Sequence, residues 1–425
     1  MPKAKPKATI MVADGSGGMA KVEDRRFEEG DWPIRFEMPN EQADNWLRYF
    51  SAECERRGWS SSSIGQMEAS ENSGSITVNA GGADKPQLAV VWERERSKPI
   101  HVRARSAGVP EFPLTEARDL FDQVNKRCRA GALEYVYRRG QLEYIGLPWR
   151  GELWLDDTLR LGPPSRQDET ALLGPRVILV DALVGCVGKG DAPWVFDKQL
   201  RELSAFLSVV IGTAVQIPEQ GRAWTFMDGA VDCAVRYLGY WEQENPQEMP
   251  ARGACRSMPL RQVNRPDFSQ CGIDGSINEE ALPADVTDLW AAYCSLTADQ
   301  RRQFLQAAAK WQEALAPVHG RSTLSFALMV VACEALKPIE SRYNKHNIYH
   351  VVEALLGKTQ ADRLRERSFK PQDIRNAHLH RGEFRGLEFD LRVIMSSYYD
   401  PTFDEALRAL APITQAAIIE WLRRD

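Results

Sequence analysis

The chain has 425 residues, 43% hydrophobic and 27% charged, and its 54 Lys and Arg against 59 Asp and Glu leave a net charge of -5. That length predicts two or three domains with ample core, and the composition excludes a disordered or fibrous chain. The acidic balance argues against a chain-wide nucleic-acid coat but leaves room for a local basic site.

Eight cysteines stand at positions 54, 128, 186, 233, 255, 271, 294 and 333, none in a C-x-x-C pair. Neither a zinc ribbon nor a disulfide framework is expected, and reduced thiols in a cytoplasmic protein are the simplest reading. No apolar run approaches the ~20 residues of a membrane span. The start, residues 1–9, is basic and proline-bearing without the apolar segment of a secretory signal.

Residues 1–30, with Lys, Pro and Ala followed by Asp14-Gly15-Ser16-Gly17-Gly18, read as a flexible tail. Residues 31–160 read as a mixed α/β module. Asn40 is expected to cap a helix carrying Trp46, Leu47 and Phe50 that ends near Gly58. Strands follow at 75–78, 87–92 and 100–105. The last alternates and sets His101, Arg103 and Arg105 on one face, which is either plainly solvated or turned to RNA. A second helix is expected over 114–129. The runs 133–137 and 141–145 flank Arg138-Arg139-Gly140 and predict a hairpin, with a further strand or two in 151–161.

Residues 161–275 form the second α/β part and open on a Gly162-Pro163-Pro164 linker. A strand is expected over 177–184. Gly185, Gly188, Lys189 and Gly190 follow it without the spacing of a nucleotide-binding loop, and Asp191-Ala192-Pro193 is a poor helix opening, so they predict a turn. A helix should run from Asp197 through Leu200, Leu203, Phe206 and Leu207 to about Thr213. Residues 246–275, rich in Pro, Gly, Arg and Asn, read as a linker.

From about 280 to 425 the chain reads as helix throughout. A short helix over 284–294 precedes one with a Thr297-x-x-Gln300 capping box and an apolar stripe of Phe304, Ala308, Trp311 and Leu315. The helix over 322–336 is apolar almost all round and belongs in the middle of a bundle. Its Glu334 either pairs with Arg375 or reaches solvent at the helix end. His346 and His350, four apart on the next helix, lack a third metal ligand and read as a surface pair. Thr359-x-x-Asp362 starts a short helix, Pro371 permits a fresh start, and Thr402-x-x-Glu405 is expected to cap a closing helix kinked at Pro412. Short connections make these helices an antiparallel bundle, and the chain as a whole an α+β protein.

Within this region Ile374-Arg375-Asn376-Ala377-His378-Leu379-His380-Arg381-Gly382-Glu383 holds two of the six histidines. Gly382 is a natural helix terminator, which puts His380 in the last turn beside unpaired carbonyls that favour its imidazolium. An imidazole exchanges protons near neutral pH, and a guanidinium grips a phosphate with forked hydrogen bonds. Positions five apart lie about 140° around a helix, so Arg375 and His380 do not share a face, while Asn376 and His380 do. A charged helix end is also ordinary dipole complementation.

The Arg375-Asn376-x-x-x-His380 spacing resembles the signature of HEPN domains of the Apea-like kind, over roughly the last third of the chain. The run 203–212 is similar to a segment in bacterial defence proteins that end in such a domain. The resemblance implies a metal-independent endoribonuclease without cofactor, in which the 2′-hydroxyl attacks to leave a 2′,3′-cyclic phosphate. Arg375 would hold the phosphate, His380 act as acid and base, and Asn376 orient one of them, with Glu334, His378 and Arg381 in support. It implies a homodimer through the bundle with two Arg/His sets in one cleft. It further implies an RNA target such as a tRNA loop, and an N-terminal module answering a phage-derived trigger in abortive infection. His378 departs from many Apea-like members, which carry an apolar residue there. Two alternatives stand beside this reading: a non-catalytic HEPN protein for dimerisation or RNA binding, and a nucleotide-binding enzyme in the N-terminal half.

Overall fold

The computed structural model describes residues 10–13, 19–22, 33–39, 42–63, 73–80, 85–93, 100–107, 110–146, 149, 151–164, 166–167, 174–218, 225–226, 235–237, 240–241, 247–253, 262–263, 282–283, 285–316, 322–337, 347–366, 370–383 and 401–424. It has the expected α+β class, antiparallel sheets first and helices last. The chain divides into two compact units, Met1–Val136 with Val184–Val195, and Tyr137–Leu183 with Phe196–Asp425.

In the first unit, β1 (Ile10–Ala13) pairs antiparallel with β2 (Met19–Val22), inside the stretch expected to be a tail. Ile10, Met11 and Val12 are strand formers, and the glycine cluster lies between the two strands. Then come β3 (Ile34–Met38), α1 (Ala43–Arg56), β4 (Ser60–Ser63), β5 (Ser73–Asn79), β6 (Gln87–Glu93), β7 (Ile100–Ser106) and α2 (Leu114–Ala130). The five strands form one antiparallel sheet in the order β3-β7-β6-β5-β4. Its alternate residues, among them Ile34, Val78, Leu88, Val90, Val102 and Ala104, share a core with Trp46, Phe50, Leu120 and Phe121 of α1 and α2. Trp46, Phe50 and Phe121 stack with centroids 5.3 to 5.8 Å apart. Asn40 lies outside the described residues, and Gln42 occupies the N-cap of α1 with no side-chain hydrogen bond.

β8 (Glu134–Gly146) is one unbroken strand where a hairpin was expected. Gly140 is needed for close approach, not for a turn. A Cβ there would lie 2.9 Å from both Leu200 Cδ1 and Phe196 Cε1 on the helix that packs on the strand. β9 (Leu153–Trp154), β10 (Leu159–Gly162), β11 (Arg166–Gln167) and β12 (Gly174–Cys186) follow. The sheet β8-β12-β10-β9 places Arg160 directly opposite Asp181. α3 (Ala192–Ile211) opens five residues earlier than Asp197, because Pro193 sits in its first turn, where proline costs no hydrogen bond. Of the preceding glycines, Gly188 and Gly190 do lie in a turn, while Gly185 is still within β12. The Gly190 amide donates to Glu55 Oε2 at 3.0 Å, and Arg48 grips both oxygens of Asp191. Short strands β13 (Thr225–Phe226), β14 (Val235–Tyr237) and β15 (Tyr240–Trp241) join β11, and β16 (Gln262–Val263) pairs in parallel with β17 (Leu282–Pro283).

The helices α4 (Val286–Ser295), α5 (Ala298–Leu315), α6 (Ser322–Ala335), α7 (Ile348–Leu356), α8 (Lys358–Arg365), α9 (Pro371–Arg381) and α10 (Pro401–Arg424) complete the second unit. α6 is central, touching α5, α7, α9 and α10. The Thr297–Gln300 capping box forms as expected. α10 begins with Pro401, one residue before Thr402, and continues through Pro412.

The bundle does not stop near residue 280. Ser204 and Ser208, one turn apart on α3, and Gly212, just past its end, let α5 and α10 come close. Trp311 Nε1 donates to the Ser208 carbonyl at 2.9 Å, Gln312 Nε2 to Ser204 Oγ at 2.6 Å, and Gln415 Nε2 to the Val209 carbonyl at 2.7 Å. Phe206 packs edge-on to Trp290 with centroids 5.1 Å apart. This seam gives the run 203–212 a physical role as the strut that joins the sheet β8-β12-β10-β9 to the helices.

Candidate active site

α9 starts on Pro371, fixed in its first turn, and ends at Gly382, whose φ of +67° only glycine adopts cheaply. Pro371, Ile374 and Ala377 are its buried stripe, and α6 is its neighbour. Arg375 and His380 flank that stripe on opposite sides, about 140° apart by helix geometry.

Arg375 is held. Its Nη2 donates to both oxygens of Glu334, at 3.0 and 2.8 Å, and the two side chains are only 18% and 13% exposed. Arg375 Nε is buried and finds no hydrogen-bond partner. Lys337, one turn beyond Glu334, reaches the same carboxylate at 4.0 Å, a member of the cluster that sequence spacing from Glu334 would have found. Of the two expected fates for Glu334, pairing with Arg375 is the one observed.

His380 is exposed in the last turn of α9, next to Leu379, a large apolar residue left 47% exposed. Asn376 is half-buried. His378 lies at hydrogen-bond distance from the loop, with Nδ1 3.1 Å from the Glu383 carbonyl, so one ring nitrogen serves the helix end. Arg381 pairs across the same end with Glu383 at 2.9 Å, in solvent. The structure thus joins Glu334 to Arg375 and leaves His380 apart from them within one copy of the chain. α7 is tied to the start of α9 by Asn347 Nδ2 donating to Gln372 Oε1 at 3.2 Å. His350 closes the capping box of α7 with Asn347, and His346 lies outside the described residues. Among the described residues no group of three or more His, Cys, Asp or Glu is placed to hold a metal ion.

A second charged cluster escaped sequence reading. Asp181, fully buried, accepts from Tyr137 Oη at 2.6 Å, from Arg139 Nε at 2.7 Å and Nη2 at 3.2 Å, and from Arg160 Nη1 at 2.7 Å. Arg160 Nε also donates to Glu152 Oε2 at 3.0 Å. Burial pushes the Tyr137 hydroxyl well above its usual range, with Asp181 adding to the shift. Burial raises Glu152 too, yet the Arg160 hydrogen bond and the Gly253 amide together hold that carboxyl below the usual range. Tyr137 and Arg139 alternate along one strand, and Asp181 is the one charge in an otherwise apolar run, which was the available signal. Every oxygen of this aspartate is engaged, and the cluster is a structural clasp.

Comparison with family models, with curated proteins and with solved structures returns no match. No helix among the described residues is long and apolar enough to cross a membrane.

Proposed function

We propose that this chain is a HEPN-type endoribonuclease that cuts RNA without a metal ion, with the N-terminal part as its sensing module in anti-phage defence. The observation that carries the reading is the guanidinium of Arg375, fixed by Glu334 beside a helix end that presents an exposed His380. Helix geometry keeps the two groups about 140° apart in one copy. A second copy, docked with its α9 facing the first, brings Arg375 of one chain toward His380 of the other. His380 removes the 2′-hydroxyl proton, the 2′-oxygen bonds to phosphorus, and the bond to the 5′-oxygen breaks as the His380 imidazolium returns a proton to it. Arg375 stabilises the charge that develops on the phosphoryl oxygens. Single-stranded loops such as those of tRNA are the substrates, since their bases are splayed and reachable. The protein acts in the cytoplasm.

One observation favours a second reading. Glu334 already neutralises Arg375, as it would in a HEPN protein that serves only for dimerisation or RNA binding. Expression of wild type, Arg375→Ala and His380→Ala, with and without chelator, separates the two. Cleavage with cyclic-phosphate ends, insensitive to chelator and reduced about 10²–10⁴-fold by His380→Ala, supports the nuclease. Intact RNA throughout, with phage infection as the trigger, favours the binding protein.

A further inference from the structure

Glu334 meets two cations. Arg375 lies 2.8 Å from its Oε2, and Lys337 Nζ lies 4.0 Å from its Oε1. Lys337 is 19% exposed, nearly as sheltered as the other two, so salt screens the three charges weakly. The backbone that carries Glu334 and Lys337 is pinned. α6 ends at Ala335, and the last carbonyls of a helix have no partner within it. Gln303 of α5, itself buried, supplies one. Its Nε2 donates to the Ala335 carbonyl at 3.0 Å and to the Lys337 carbonyl. The Lys337 amide donates to the Glu334 carbonyl at 3.4 Å, which closes the turn between the two residues.

An arginine paired with one glutamate carries no net charge, and a phosphodiester gains little by approaching a neutral pair. Lys337 alters that sum. Two cations and one carboxylate leave one positive charge, the complement of one phosphodiester. Both contacts of Arg375 with Glu334 come from Nη2, while a guanidinium has five N–H donors. The carboxylate therefore holds the guanidinium without using all of its donors. With Lys337 in the sum, pairing with Glu334 no longer silences Arg375.

We propose that Lys337 offsets the charge of Glu334, so that Arg375 is held in place yet still meets a single phosphodiester as a cation. Lys337 acts through Glu334 and touches no reacting atom. The inference rests on the reading of Arg375 as the group that holds the phosphate. Two probes test it with the full chain. A short uridine-only strand with 2′-O-methyl groups lacks the attacking hydroxyl and reports binding alone; the matching RNA reports cleavage. By fluorescence anisotropy, Lys337→Gln should weaken binding of the methylated strand about three- to tenfold at low salt and flatten the log–log salt slope by about 0.7. Lys337→Arg should restore both. Glu334→Gln should bind more tightly yet cut more slowly, since the site gains charge as its guanidinium is released. Glu334→Gln with Lys337→Gln has the wild-type net charge and should regain wild-type affinity without regaining wild-type cleavage. A lysine that only packs, or that touches the strand itself, would leave this double variant as weak as Lys337→Gln. Lys310→Gln removes the same charge from an exposed pair with Glu313 on α5 and should bind as wild type does. Lys337→Gln should melt within about 2 °C of wild type. Unchanged affinity and slope in Lys337→Gln overturn the proposal, as does a double variant that stays weak or a methylated strand that wild type does not bind. Lys337-dependent binding with intact RNA in wild type keeps the inference and removes the nuclease. Cleavage that Lys337→Gln leaves untouched does the reverse.

Discussion

Replacing Glu334 by Gln keeps the shape of the side chain and removes its charge. The two contacts it makes share one donor nitrogen, Arg375 Nη2, and count as a single three-centre bond. A hydrogen bond to a charged partner contributes about 1.5–3 kcal/mol, and the amide oxygen of Gln still accepts, so the expected loss is about 1–2 kcal/mol. Little of it is screened, since both side chains are less than one-fifth exposed. Arg375, whose Nε already lacks a partner, then faces Lys337 with no carboxylate between them. For a unit of this size each kcal/mol lowers the melting temperature by about 2–4 °C, which gives a fall of about 2–8 °C. A double-mutant cycle with Arg375→Gln should return a coupling of about 1–2 kcal/mol. RNA cleavage by Glu334→Gln should fall as well, because its guanidinium is no longer held. A coupling under about 0.3 kcal/mol would refute the claim that Glu334 positions Arg375.

Asp181→Ala strands two largely buried guanidiniums, Arg139 and Arg160, and should cost about 3–5 kcal/mol, seen as a lower urea midpoint for the second unit. Gly188→Ala should destabilise the first unit by about 1–3 kcal/mol, because the new Cβ falls 2.6 Å from Ala52 Cβ and 3.2 Å from its Cα; Ala52→Gly in the same chain should recover part of the loss. A fragment of residues 280–425 should be far less soluble and show weaker near-UV dichroism than one of 137–425, since it exposes Trp290 and Trp311 where α3 packs. Burial pushes the Cys54 and Cys333 thiols up to about 12. Unfolded thiols ionise near 8.5, so the folded state holds protons that the unfolded state releases, and stability present below that pH should drain away as pH climbs toward 12. The slope is about 1.4 kcal/mol per pH unit for each thiol, and Cys333→Ala should flatten it in chemical melts between pH 9 and 11.

Much of the helical half was legible in the sequence because its signals are local. Thr297 with Gln300, Pro371 with Gly382, and the all-apolar run of α6 each act within a few residues, and each element formed where that chemistry placed it. The pairing of Glu334 with Arg375 was legible only as one of two options, since it joins positions 41 residues apart. The misreadings share a cause. Gly140 has the composition of a turn, yet what decides its conformation is a helix begun more than fifty residues later. Asp197 looks like the opening of a helix, but α3 begins five residues earlier, with Pro193 in its first turn.

By itself the sequence determined the class of fold, several helix ends such as those at Thr297 and Gly382, and the residue types that could handle a phosphate, because periodicity, capping and side-chain chemistry are properties of neighbours along the chain. Only the tertiary structure decided that α3 belongs with the bundle, that Asp181 is clasped by two arginines, and that Glu334 pairs with Arg375 rather than reaching solvent. Those outcomes depend on which distant surfaces exclude water together, and burial of that kind is set by the packing of the whole unit.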